Sequence, residues 1–188
     1  MIERNNLGEL LFPDNPEFRP NLTPRQIFQL GSFGGTYWRP IYSSITKKKY
    51  NNVHLDYPKH WWKDIPNNYL TSSVYNIKIN KYRKKVGTSL EEWEKGPDPW
   101  ITKYNPYGWV HWYCDYYNGR RTPDDDRQIQ RWMNFTGPKG RFKNRLINMI
   151  KKKRSEGVET GYNDYSVSPA IRQSLQHWAY KITEQDCK

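Results

Sequence analysis

Residues 104–154 read YNPYGWVHWYCDYYNGRRTPDDDRQIQRWMNFTGPKGRFKNRLINMIKKKR, and their periodicity decides how the rest of the chain is read. They divide into three successive helical segments that become more basic toward the end. In the first, Asn105 stands as N-cap and Pro106 at the first helical position, where a missing N–H costs nothing. Trp109, Trp112, Tyr113 and Tyr116 recur at helical spacing with Val110, Cys114 and Tyr117 beside them, so most of the circumference is apolar or aromatic. Such a helix belongs in the interior. The strip left over carries His111 and Asp115, four residues apart and able to touch, and Gly119 supplies the stop.

The second segment opens at Thr122-Pro123-Asp124-Asp125-Asp126, a hydroxyl cap, a proline and three carboxylates where a helix dipole favours negative charge. Ile129, Trp132 and Met133 form its inward stripe, and Arg127, Gln130 and Arg131 face away. The third segment, over 138–154, places Phe142, Leu146, Met149 and Ile150 on one face. The opposite face carries Arg141, Asn144, Arg145, Asn148, Lys151 and Lys152. Arginine and asparagine make bidentate contacts to guanine and adenine edges, while lysine holds phosphates. A helix, a short glycine-containing turn and a basic helix give the outline of a helix-turn-helix.

Composition narrows the class. A chain of 188 residues accommodates one domain. Its nine Trp and fifteen Tyr predict an aromatic core whose polar atoms need partners. The formal charge of +12, concentrated between Lys103 and Arg154, points to polyanions, with nucleic acid first. The competing reading is a basic protein kept soluble by its charge. No stretch approaches the roughly 18 apolar residues that cross a bilayer, and the N-terminus shows no signal-peptide pattern, so an intracellular protein without a membrane partner is expected. Cys114 and Cys187 are too few for a disulfide framework or a cysteine zinc site. That setting also removes the weight of the Asn21 and Asn134 sequons.

Upstream, residues 1–21 hold Pro13, Pro16 and Pro20 among polar residues and are expected to form an extended arm, leaving 22–188 as the domain. Thr23 and Gln26 make a capping box with Leu22 and Ile27 as its staple, and a short helix follows to about Leu30. The stretch Gly31–Thr36 reads as a tight turn that lets Phe33, Tyr37 and Trp38 pack; an anion-binding nest is the weaker reading. Residues 47–82 are less regular, with a basic run at Lys47–Lys49 and an alternating run at Val74–Ile79 suggestive of a strand. His54, Asp56 and His60 do not complete a metal set. Residues 88–93 open a short acidic helix closed by Gly96-Pro97. Ser168-Pro169 starts a last helix whose Ile171, Leu175, Trp178 and Ile182 define its inward stripe.

The segments GWVHWYCDYYNGRRTPDDDRQIQRW, GPKGRF, SPAIRQSLQHWAYKIT and LTPRQIFQLGSFGGTYWRPIY together resemble an uncharacterised family of predicted proteins. That family is found in fungi, other microbial eukaryotes and large DNA viruses. The resemblance covers about two thirds of the chain and omits residues 47–99. It implies a viral or microbial-eukaryotic setting, and it carries over no activity and no catalytic residue.

The expected architecture is therefore mainly α, a single-domain helical fold with an aromatic-rich core, a helix-turn-helix-like unit and a less regular N-terminal half. The expected function is nucleic-acid binding through the third segment, with duplex DNA favoured because a helix fits its major groove and not that of A-form RNA. Arg120, Arg121, Arg127, Arg131 and Lys139 extend the basic surface beyond the third segment. Trp38 and Trp100, in loops beside Arg39 and Lys103, are the candidates for base stacking. A metal-dependent nuclease or repair enzyme is the runner-up, using Asp124, Asp125 and Asp126 for Mg²⁺ and the His111–Asp115 pair for proton transfer. The aspartates also suit a helix N-terminus, and that structural role is preferred, with no cofactor or metal assigned. A charge-neutralising packaging or structural protein of a large DNA virus is the third class, in the nucleus, a viral factory or the virion.

Overall fold

A computed structural model describes residues 2–188; Met1, part of the expected arm, lies outside the described residues. The helix-dense half follows the sequence pattern closely. Helix α3 spans Trp109–Tyr117, α4 Asp125–Thr136, α5 Arg141–Ser155 and α6 Pro169–His177. Two short helices precede them, α1 at Pro24–Gln29 and α2 at Leu90–Trp93. Successive packing of α1 on α3, α3 on α4, α4 on α5 and α5 on α6 builds the C-terminal half.

Local chemistry sets these boundaries. The Thr23 hydroxyl accepts from the Gln26 N–H and the Gln26 carboxamide accepts from the Thr23 N–H, completing the capping box. Helix α3 begins later than the Asn105-Pro106 pair suggested, because Gly108, at φ 93°, occupies the N-cap. An added Cβ there would meet Ile101 Cδ1 at 3.0 Å and the Trp93 ring at 3.4 Å, so glycine allows both the backbone turn and the close packing. Helices α4 and α5 are joined by residues 137–140. At Gly140 an added Cβ would lie 2.4 Å from Thr136 N, so only glycine permits the turn this close to the end of α4.

The molecule is not mainly α. Helix accounts for 38% of the chain even with 3-10 turns counted, strand for 4%, and the rest is turns and irregular backbone. The cause lies in residues 2–108, where apolar residues are frequent but follow no 3.6-residue period. They are pinned one at a time through aromatic side chains rather than laid down as helix faces. The only two-stranded sheet among the described residues pairs β1 (Ile41–Ser43) with β2 (Lys48–Tyr50), and β2 overlaps the stretch read as a basic run. Its register pairs Ile41 with Tyr50 and Ser43 with Lys48, and the Ser43 hydroxyl accepts the N–H groups of Ile45 and Thr46 in the turn. Val74–Ile79 forms turns instead of a strand, with the Asn76 side chain accepting from the Lys78 N–H.

The first 21 residues carry almost no regular structure, yet they do not form a detached arm. Leu10, Phe12 and Phe18 are buried. Phe18 is enclosed by Trp112, Tyr113, Tyr116 and Trp132, with centroids 5.1–6.0 Å away. Proline content signalled irregular backbone, but long-range aromatic packing decided where that backbone goes.

Two apolar clusters result. The larger is aromatic and surrounds α3, with Trp38, Trp112, Trp132, Tyr107, Tyr113 and Tyr116 fully enclosed. Many of its polar atoms are paired across long distances, the Trp38 indole N–H being an exception. Tyr37 donates to the Tyr107 carbonyl and accepts the His111 N–H, while Tyr113 donates to the Leu22 carbonyl. The indoles of Trp109 and Trp132 donate to the carbonyls of Gln128 and Trp178. The smaller cluster is aliphatic, with Leu146, Ile150, Val167, Ile171, Leu175 and Ile182 between α5 and α6.

Candidate nucleic-acid interface

Helix α5 packs its Leu146 and Ile150 side into the aliphatic cluster, and two of its cations are used as anchors. Lys143 contacts the Asp186 carboxylate at 2.8 Å and the Tyr180 hydroxyl at 2.8 Å. Burial raises the Asp186 carboxyl, but the Lys143 contact outweighs it, and the net shift is downward. Arg154 donates to the Thr160 and Cys187 carbonyls. Met149 is 38% exposed and Phe142 half-buried, so the inward stripe is narrower than the sequence pattern implied. The reason is that α5 is gripped between α4 and α6, which centres its buried line on Leu146 and Ile150.

On the outward side Arg141, Arg145, Asn148, Lys151 and Lys152 are exposed. The only carboxylate within 4 Å of them among the described residues is Glu156, 3.9 Å from Lys152. Lys139, in the turn before α5, is exposed as well. Asn144 departs from the expected base-reading role, because its amide donates to the Pro138 and Gly140 carbonyls and ties down the turn.

Of the remaining expected cations, Arg131 donates to the Gln128 side chain at 2.9 Å, and the other three are ion-paired. Arg120 pairs with Asp115 at 2.6 Å, Arg121 with Asp14 at 2.6 Å, and Arg127 with Asp124 at 2.6 Å. The basic surface is thus concentrated on α5 and its entry turn, with Arg131 the one cation of α4 that has no carboxylate partner among the described residues.

The acidic cluster is spent on structure. Asp125 accepts from Thr122 N, Thr122 Oγ1 and Trp112 Nε1. Asp124 accepts from Arg127 and Gln128, and Asp126 alone of the three is exposed. His111 and Asp115 do not act as a pair. His111 Nδ1 faces the Tyr107 N–H at 3.4 Å, while Asp115 accepts from Tyr57, Asn105 and Arg120. Burial lowers the His111 pKa to about 4, despite the nearby Asp115 charge. Among the described residues, no group of three His, Cys, Asp or Glu side chains is placed to hold a metal.

Trp38, expected to be free for stacking, is fully buried among Tyr37, Tyr57, Trp62 and Tyr107, because it supplies a ring the aromatic core needs. Trp100 is 52% exposed. It stands at the mouth of a cavity of about 250 Å³ that sequence periodicity does not show. The walls come from Phe33, Trp93, Trp109, Phe135, Phe142 and Trp178, with His177 behind them. Phe135 stacks on Trp178 at 4.7 Å and on Phe142 at 5.1 Å. Arg141 lies 4.4 Å over the Phe135 ring, and Arg131 lies 5.2 Å over Trp100 and 5.4 Å over Trp178.

Helix α6 backs this cavity with an unexpectedly polar buried face. Gln173 and Gln176 both donate to the Gly31 carbonyl. The His177 ring stacks on Phe33 at 3.8 Å and its Nε2 receives the Phe33 N–H. Burial lowers the His177 pKa to about 3. The Gly31–Thr36 turn is therefore closed by internal partners, with Gly34 N donating to Asn80, and offers no nest for an anion. A larger groove of about 810 Å³ between the N-terminal segment and the 137–140 turn mixes Glu9 and Glu17 with Lys139 and Lys143, a lining of both signs.

No family model matches the chain, and no curated protein or solved structure shows significant similarity to it.

Proposed function

We propose that this protein binds nucleic acid, with duplex DNA as the preferred form, through the exposed face of α5 and the turn that leads into it. The observation that carries the reading is the row of exposed cations at Arg141, Arg145, Lys151 and Lys152, on a helix with no acidic residue between its first and last positions. Anchoring of Lys143 and Arg154 on the opposite side supports it, since the helix is held in one orientation while the row stays free. Of the two asparagines expected to read bases, Asn148 is the exposed amide in that row and keeps the role, while Asn144 is tied to the turn. A setting in the nucleus, a viral factory or the virion belongs to the same proposal. The nuclease alternative has less support, because two of the three clustered aspartates are already hydrogen-bonded within the fold. Among the described residues no helix is long and apolar enough to cross a membrane.

Titration of duplex DNA, single-stranded DNA and RNA over a range of salt tests the reading. Each phosphate contact should contribute about −0.9 to the slope of log K against log salt on duplex DNA. Replacing Lys151 and Lys152 with Ala should weaken binding to every sequence and flatten that slope; an unchanged slope removes α5 from the interface. Selection from a random duplex library separates base reading from charge-neutralising packaging, since the latter enriches no motif. Cleavage of labelled DNA with Mg²⁺, abolished by chelator, would replace the binding reading with the nuclease one.

A further inference from the structure

We infer that the aromatic cavity beside α5 receives a single unstacked nucleobase of a bound strand, with Arg141 and Arg131 holding its backbone phosphate. The inference rests on the nucleic-acid reading above and deepens it. Five features of the cavity select this occupant. Its volume of about 250 Å³ falls just below the roughly 300–1,000 Å³ of sites for drug-sized ligands, which suits one flat ring system. Its lining is aromatic, with Phe142 and Trp178 braced by stacking on Phe135 and the half-exposed Trp100 as the ring a base can reach, and Ser174 adds a hydroxyl that can meet a base edge. No carboxylate lines it, so a cationic ligand would meet only the two guanidinium groups.

Neither Arg131 nor Arg141 has a carboxylate partner among the described residues; Arg131 donates only to the neutral Gln128 side chain and the Trp100 carbonyl, and Asp124, the acid whose charge reaches it, is held by Arg127. Burial depresses the Arg131 pKa to about 10, the mark of a desolvated cation for which an anion would compensate. The fifth feature is continuity. Arg141 belongs both to the cavity wall and to the exposed row of α5, so a strand lying along the helix passes the mouth of the cavity. A base inside a duplex cannot enter, and must be unpaired or drawn out of the stack.

The test uses the full chain and three duplexes of one sequence: fully paired, with one extra unpaired adenosine, and with an abasic site in place of that adenosine. Adenosine monophosphate serves as a fourth probe. Tryptophan fluorescence and direct titration give the affinities. The unpaired adenosine should tighten binding about 10-fold over the abasic bulge. Trp100→Ala should remove that gain, a loss on the scale of about 5- to 150-fold that base–aromatic stacking contributes. Trp100 is half exposed, so this variant should keep the wild-type melting curve. Arg141→Gln should weaken the bulged probe more than the paired one.

Equal affinity for adenosine and abasic bulges overturns the inference while salt-dependent duplex binding still stands. Adenosine monophosphate binding more tightly than the bulged duplex also overturns it, by assigning the cavity to a free nucleotide. Saturable quenching by the monophosphate without duplex binding means that the α5 reading fails and that no strand supplies the base.

Discussion

The two apolar clusters of this protein hold their helices in different ways. Around α3, rings pack edge to face and their polar atoms are tied to distant carbonyls, as when Tyr113 reaches Leu22 and Trp132 reaches Trp178. Under α5, aliphatic side chains from α6 and the C-terminal turn meet Leu146 and Ile150, and Lys143 and Arg154 add directional contacts to that C-terminal region. The aromatic cluster surrounds its helix, so α3 exposes almost nothing. The aliphatic cluster grips one side, so α5 is positioned firmly while its other face stays free to meet a partner. A frame that consumes polar groups thus stands beside a helix that presents them.

The sharpest way to break this contrast is to remove a ring from the frame. Phe18→Ala should cost about 3–5 kcal/mol in chemical denaturation, because the cavity left among Trp112, Tyr113 and Trp132 cannot collapse easily. A loss below about 1 kcal/mol would restore the view of the first 21 residues as a dispensable arm.

Leu146→Ala tests the other cluster and should cost about 2–5 kcal/mol. It should also weaken DNA binding, because α5 loses its grip. Undiminished affinity in a destabilised but folded variant would mean that the free face of α5 does not depend on the layer beneath it.

Acid should act on the frame before it acts on the carboxylates. His177 and His111 are held neutral by burial, with folded values of about 3 and about 4 against an ordinary 6.5. As pH falls below 6.5 the unfolded chain gains protons that the folded chain refuses. Stability is therefore full above that pH and declines toward the folded values, by up to about 1.4 kcal/mol per pH unit for each histidine. His177→Gln, which keeps an acceptor for the Phe33 N–H, should flatten the decline between pH 6 and 4. An unchanged slope would show that His177 charges without cost.

The smallest stability effect belongs to the presented face. Arg145→Ala and Lys151→Ala should each shift stability by less than about 0.5 kcal/mol, since both side chains are exposed. Their effect should appear in binding alone, and a marked loss of stability would mean that the face is not free.

The sequence by itself determined that three helices succeed one another along 104–154, though each starts two or three residues later than its proline suggested, and it determined the capping box at Thr23 and Gln26, the interior position of α3 and the basic face of α5. These are written in short-range periodicity and capping chemistry, which act within a few residues. It also marked Trp100 as an exposed ring, and it assigned the clustered aspartates to a helix start. Tertiary structure decided the rest. Composition cannot distinguish Trp38, enclosed by four rings, from Trp100, half exposed, because burial depends on which distant residues arrive around each. Likewise Arg127 and Arg120 find Asp124 and Asp115 within five residues, close enough for the sequence to suggest neutralisation, but Arg121 is paired only when folding brings Asp14 from 107 residues away. The cavity is the clearest case. Phe33, Trp93, Phe135 and Trp178 have no common spacing, and only folding places their faces around one volume, because aromatic packing is long-range and follows no period.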